Sequence, residues 1–301
     1  MLLFVCLCLF SIINAQDQRS AVYNEAEARE LLNLAAAAYA ENPLPCLNRT
    51  LPSGAKWSIF KWTNNTDCDL FGDTCGFYSI VDETNNLITV VFRGTKTTEQ
   101  LLTEGLDSSE PKVNFYNIGL NYDVTFTGHS LGAALASLAA LRTVLENLRN
   151  GNQIKMVNFG QPRVGNVDLA MKHDQLLPYS FRVVHSMDIV PHIPACAKNH
   201  SVEQDDSSPC NPDNKKKSYH HGVEIWYPNT MNPGDQYIEC LGQPTDEDFS
   251  CSDKNTFSLN SYQSYIADHR HYFEVEVPSF GETGCNLNDP EGDYVEQGIF
   301  G

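Results

Sequence analysis

Asp123-Val124-Thr125-Phe126-Thr127-Gly128-His129-Ser130-Leu131-Gly132-Ala133-Ala134 is the stretch that decides how this chain folds. Asp123 to Thr127 is a short β-type run. Leu131 to Arg149 has no proline and carries Leu131, Leu135, Leu138, Leu141, Leu145 and Leu148 at helical spacing. Only Gly128, His129 and Ser130 remain to turn the chain from strand to helix. Gly-x-Ser-x-Gly in that setting lifts a serine hydroxyl onto a sharp bend. The glycines suit a strand and a helix that cross too closely for a Cβ, and Ala133 and Ala134 keep the crossing uncrowded.

Working outward, the same alternation repeats. Glu25 to Ala40 reads as an Ala/Leu-rich helix, and Phe77 to Val81 and Leu87 to Phe92 as strands. Ile154 to Phe159 is a strand, Val167 to Leu177 a helix, and Phe181 to His185 and Val223 to Tyr227 are strands. Leu87 to Phe92 is almost wholly apolar and therefore central. Alternating strands and helices predict an α/β fold, a mainly parallel central sheet with helices on both faces. Residues 195–220 and 228–260 are expected to be irregular. No repeat or Pro/Ser-rich linker divides residues 16–301, which read as a single domain.

Composition narrows the partners. The chain has 301 residues, 20 Lys+Arg against 38 Asp+Glu, and a net charge of −18. Nucleic acid is disfavoured as a partner, because a phosphate polymer is repelled and no basic patch offsets the average. Met1 to Ala15 is apolar from Leu2 to Ile13 and ends in a small residue before Gln16-Asp17, which predicts a secretory signal peptide over residues 1–15. The run is too short to span a bilayer, and no other segment qualifies as transmembrane. Of ten cysteines, eight follow the signal: Cys46, Cys68, Cys75, Cys196, Cys210, Cys240, Cys251 and Cys285. An even number in an exported chain implies disulfides. No Cys-x-x-Cys pair suggests zinc, and no metal or other cofactor is expected. Asn-x-Ser/Thr acceptor sequences start at Asn48, Asn64 and Asn199.

A serine nucleophile needs a base, and the base needs an orienting carboxylate. In this order of elements the acid follows a later strand, at the carboxyl edge of the sheet. Asp188 fits, three residues after the strand ending at His185. His192, His200, His220, His221, His269 and His271 follow it, and spacing does not choose among them. If the strand after His221 is parallel to the rest, His220 and His221 stand at the wrong edge; if it is antiparallel, they reach the site.

Six motifs in order resemble those of the class 3 (fungal-type) triacylglycerol lipases, an α/β-hydrolase family. Val91-Phe92-Arg93-Gly94-Thr95 is similar to its strand entering the oxyanion loop, and the Ser130 bend followed by Ala-Leu-Ala to its helix start. Asn158 to Asn166, with Gly160-Gln161-Pro162-Arg163, resembles a strand-to-helix turn, and Asp188-Ile189-Val190-Pro191 the acid motif. His221-Gly222-Val223-Glu224-Ile225-Trp226 resembles the last long strand, and Asp268-His269-Arg270-His271-Tyr272-Phe273 the motif of the base. The resemblance runs from about Glu25 to Phe273. It implies a secreted serine ester hydrolase acting on lipid esters, with Ser130 as nucleophile, Asp188 as acid and His269 as base. Backbone N–H groups of Thr95 and Leu131 would form the oxyanion hole. It also implies a lid over Thr95 to about Leu106, an N- to C-terminal tie Cys46–Cys285, and local pairs Cys68–Cys75, Cys196–Cys210 and Cys240–Cys251.

One departure stands out. Thr95 to Thr127 has to hold both the lid and a parallel crossover. After the lid, Asp107 to Tyr122 contains Pro111, Gly119 and no helical periodicity. A crossover of this kind needs a dozen or more residues, mostly helical. One crossover helix is therefore expected to be missing, with the apolar sheet face beneath it left open to water.

Overall fold

The computed structural model describes residues 21–67, 74–95, 122–201, 207–242 and 246–292. The predicted signal peptide, most of the lid, nearly all of the stretch in which a crossover helix is expected to be missing, and Cys68 lie outside the described residues.

Eight strands form one sheet in sequence order: β1 (Trp57–Asp67), β2 (Thr74–Asp82), β3 (Leu87–Phe92), β4 (Asp123–Gly128), β5 (Ile154–Phe159), β6 (Tyr179–His185), β7 (Val223–Tyr227) and β8 (Ile238–Cys240). β3 to β7 run parallel, and the pairs β1–β2, β2–β3 and β7–β8 are antiparallel. The expected parallel centre is present. β1 and β8 are additions to the predicted set, β8 falling in the stretch read as irregular.

Alternate side chains of the central strands feed two cores. Val91, Val157, Phe159, Val183 and Ile225 pack under α1 (Glu25–Ala37), α2 (Leu44–Thr50) and the C-terminal α6 (Val277–Glu282). Val90, Phe92, Val124, Phe126 and Met156 pack under α3 (Leu131–Leu145) on the other face. Ile88, Val90, Val91, Phe92, Val124 and Phe126 are all buried. The open sheet face expected from the short crossover is therefore not found: α1 packs across β3 and β4 on one side, and α3 covers the other.

α3 ends before the predicted Arg149. Asn147 adopts φ 57°, a left-handed conformation that ends a helix and that asparagine tolerates. The remaining helices are α4 (Val167–Leu176) and α5 (Tyr262–Arg270), and a two-stranded ribbon pairs β9 (His271–Tyr272) with β10 (Val275–Glu276). α5 was not predicted, since its buried residues Tyr265, Ile266 and His269 make too narrow a stripe to show as periodicity.

Cys46–Cys285, Cys196–Cys210 and Cys240–Cys251 are disulfides, as the resemblance implied, and Cys75 is disulfide-bonded as well. Among the described residues, two buried groupings bring a carboxylate to cysteines, Asp253 with Cys196 and Cys210 and Glu224 with Cys240 and Cys251, and being disulfide-bonded these cysteines offer no free thiolate to a metal.

Cys46–Cys285 spans 239 residues of sequence, and closing so long a loop restricts the unfolded chain strongly. Replacing both cysteines by serine is expected to cost about 3–5 kcal/mol, read as a lower urea midpoint at neutral pH. An unchanged midpoint would show that the tie does not stabilise the fold.

Candidate active site

The strand-to-helix bend is tight enough to dictate its residues. A Cβ on Gly128 would lie 2.5 Å from the backbone of Gly132, and one on Gly132 would strike the Phe92 carbonyl oxygen. Ser130 itself has φ 60° and ψ −132°, a strained conformation for a residue with a side chain. Its N–H donates to Phe159 O at 2.9 Å, which ties the bend to the end of β5.

The next residue, Gly160, carries the other half of the site. A Cβ there would meet Asp188 Oδ2 at 2.8 Å and His269 Nδ1 at 2.9 Å. His269, in the last turn of α5, donates from Nδ1 to the Asp188 carboxylate, at 3.0 Å to Oδ1 and 2.9 Å to Oδ2. Asp188 also accepts from the Val190 N–H at 2.8 Å and from the Tyr272 hydroxyl at 2.6 Å. Acid and imidazole are both buried. Because Nδ1 holds its proton toward a carboxylate, Nε2 is the ring's free lone pair. Among the described residues neither His269 Nε2 nor Ser130 Oγ has a hydrogen-bond partner, and both are buried.

His129, between glycine and serine in the motif, fixes the base from behind. Its ring stacks on His269 at 4.6 Å between centroids. Nε2 donates to the His269 carbonyl at 2.8 Å, and in the neutral ring Nδ1 accepts from the Tyr39 hydroxyl, also at 2.8 Å. That pattern requires a neutral ring. Burial, reinforced by the nearby His269, pushes the His129 pKa down to about 3. The loop after Asp188 is clamped by Arg163, which donates to His192 O at 2.7 Å while buried Glu247 holds its other side at 2.6 Å.

The other histidines are placed away from this pair. β7 is parallel to β6, so His220 and His221 stand at the amino edge of the sheet. His221 Nε2 meets Ser137 Oγ at 2.6 Å, two turns down α3 from Ser130, and His220 meets Pro191 O. His192 stacks near Phe257, His200 is 3.5 Å from Ser208, and His271 contacts Ala267 O and Glu291. Asp188 and His269 are paired, and the Ser130 bend is tied to Phe159 O, the residue before the Gly160 on which that pair rests; Gly94 reaches the bend, where a Cβ would fall 2.9 Å from Ser130 Cβ. Sequence reasoning missed Tyr39, His129, Gly160 and Tyr272. His129, Gly160 and Tyr272 stand inside quoted motifs without a role read for them, and Tyr39 left no signal.

A model of the family Lipase (class 3) matches residues 113–198. A lipase of Caenorhabditis elegans is 44% identical over 315 aligned positions, covering 95% of this chain and 89% of that protein. The chain belongs to the class 3 lipase family. A secreted mono- and diacylglycerol lipase of Malassezia globosa is 48% identical over 75 residues, 24% of this chain and 23% of its own. The crystal structure of a Rhizopus microsporus lipase superposes with TM-score 0.60 at 23% identity, covering 88% of this chain and 92% of that one, and shows the shared α/β-hydrolase fold. This lipase-family chain is also short: 95% of 301 residues is about 286, against 315 aligned positions, so about 29 positions of the nematode lipase have no counterpart here.

Two outcomes test the geometry. Gly160→Ala pushes a methyl group into the His269–Asp188 pair and is expected to cut ester turnover at least 10²-fold with the circular dichroism spectrum unchanged, since displacements of about 1 Å cost that much. The second concerns His129. A histidine whose folded pKa is depressed contributes stability that is present above about 6.5 and lost as pH falls toward 3. His129→Gln, which keeps a donor and an acceptor, is expected to flatten the stability–pH slope between pH 6 and 4 by about one proton, or about 1.4 kcal/mol per pH unit. An unaltered slope in urea titrations would contradict a neutral, buried His129.

Proposed function

We propose that this chain is an exported serine lipase that hydrolyses acylglycerol esters through an acyl-enzyme. The observation that carries the proposal is the buried His269–Asp188 pair resting on Gly160, one residue past the Phe159 carbonyl that holds the Ser130 bend.

Ser130 Oγ attacks the ester carbonyl carbon and passes its proton to His269 Nε2. Asp188 stabilises the imidazolium through Nδ1. The carbonyl oxygen, now negative, takes hydrogen bonds from the backbone N–H groups of Thr95 and Leu131. The Leu131 N–H belongs to the first turn of α3, where helical N–H groups lack intrahelical acceptors and the dipole favours negative charge. Such a donor is worth about 10²–10³ in rate. The tetrahedral species collapses, the C–O bond to the alcohol breaks, and the alkoxide leaves with the proton from His269. Water then attacks the acyl-enzyme, gives a proton to His269, and releases the fatty acid as Ser130 recovers its hydrogen. The lid implied over Thr95 to about Leu106 falls, apart from Thr95, outside the described residues, and is carried only by the resemblance.

Export is supported by the apolar leader, the disulfides and the Malassezia relative's description as secreted. Among the described residues no helix is long and apolar enough to cross a membrane. Substrate is assigned by family membership and by the acylglycerols in that relative's name.

A second proposal, a lipase-like glycoprotein without turnover, is favoured by the short Thr95–Thr127 segment and by the roughly 29 positions of the nematode lipase without a counterpart here. One experiment separates the two. Purified protein is expected to label with a fluorophosphonate probe and to hydrolyse emulsified diacylglycerol, while Ser130→Ala does neither. A wild-type protein that folds but does not label would favour the second proposal, and equal labelling of both proteins would reject Ser130.

A further inference from the structure

β1 is the longer of the sheet's two edge strands: it pairs with β2 on one side and, among the described residues, with nothing on the other. Eleven residues make a long strand, and an open edge is a template for pairing with another chain. Natural edges are usually blunted by charge or proline. Here one charge, Lys61, stands between two aromatic residues, Phe60 and Trp62, that are 53% and 43% exposed.

Trp62 stands opposite Tyr78, whose hydroxyl donates to Leu34 O in α1. Two residues on, Asn64 Nδ2 donates at 3.1 Å to Glu41 O, just past α1. Trp62 and Asn64 therefore share the face of the sheet that carries α1. Asn64-Asn65-Thr66 is an N-glycan acceptor sequence, and a register shift between Thr63 and Thr66 sets it in a bulge. The bulge is fixed in place. The Thr63 and Thr66 hydroxyls lie 3.0 Å apart, and Arg93 donates to the Asn64 carbonyl at 2.9 Å. Asn48 and Asn199 begin acceptor sequences too, but Cys46 and Ala197 occupy the place that Trp62 holds relative to Asn64.

We propose that Asn64 carries an N-linked glycan whose first N-acetylglucosamine lies on the Trp62 indole and covers this edge of the sheet. The transfer joins Asn64 Nδ2 to the anomeric carbon of a lipid-diphosphate-linked oligosaccharide. Nδ2 loses one proton and the lipid diphosphate leaves. The nitrogen keeps its second hydrogen, so the bond to Glu41 O survives. The C–H groups on one face of the pyranose then meet the electron-rich face of the indole, a contact of the kind aromatic rings favour with positive edges. The bulky, solvated remainder of the glycan bars another strand from docking on β1.

The inference rests on the export proposed above. The test is glycopeptide mapping of the full chain secreted from insect cells, with stability measured for the wild type, Asn64→Gln, Trp62→Ala and the double variant. Asn64 is expected to be occupied. Trimming the glycan to one sugar should leave the melting temperature unchanged, whereas Asn64→Gln should lower it by about 2–4 °C, with esterase activity at 25 °C unaltered. Trp62→Ala should abolish the upfield NMR shift of the sugar's protons, and the double variant should lose no more than either single one. An unoccupied Asn64 beside an occupied Asn48 or Asn199 would overturn the proposal and leave export standing. No glycan anywhere, with residues 1–15 retained, would sink both. Occupancy with strictly additive losses would leave a glycan but refute its seat on Trp62.

Discussion

The hydrogen bond from His269 to Asp188 is the interaction on which the rest of this molecule converges. It joins residues 81 apart in sequence, in a buried place, and each partner is held by groups with other anchors. Asp188 is fixed by the Val190 N–H and the Tyr272 hydroxyl, and His269 by the ring and Nε2–H of His129. A charge buried this deeply is tolerable only where its oxygens are saturated with donors. The parallel sheet makes the meeting possible. Strands that share a direction end at one edge, so the Ser130 bend after β4, Gly160 after β5 and Asp188 after β6 come together without long loops.

Tyr39 extends that arrangement to the amino-terminal region. It follows α1, packs in the core beneath the sheet and holds His129 Nδ1. The base is thus located by contacts from both ends of the chain, α1 and α5. Disturbance of the N-terminal helix reaches the imidazole through two side chains, Tyr39 and then His129.

Much of this was legible in the sequence because it rests on short-range chemistry. The Gly-x-Ser-x-Gly bend, the apolar central strands and the acid after β6 each leave a local pattern. The choice of His269 over His221 needed either a family resemblance or the direction of β7, and the direction places His221 against Ser137 at the far edge. What stayed hidden is long-range or weakly patterned. Tyr272 reaches Asp188 across 84 residues, a distance no spacing rule covers. β1 alternates poorly because two register shifts interrupt it and much of it faces solvent. The expectation of a bared sheet face failed because it counted only the crossover as cover, when α3, from the next connection, lies over the apolar residues of β3 as well as β4 on the face where that crossover belongs.

The Cys46–Cys285 bond has a topological consequence. Every strand, and with them Ser130, Asp188 and His269, lies on the arc of chain between these two cysteines, while α1 hangs outside it. A protease that nicks any exposed loop within the arc opens a ring instead of releasing a fragment. The two pieces travel as one covalent body until a reductant separates them.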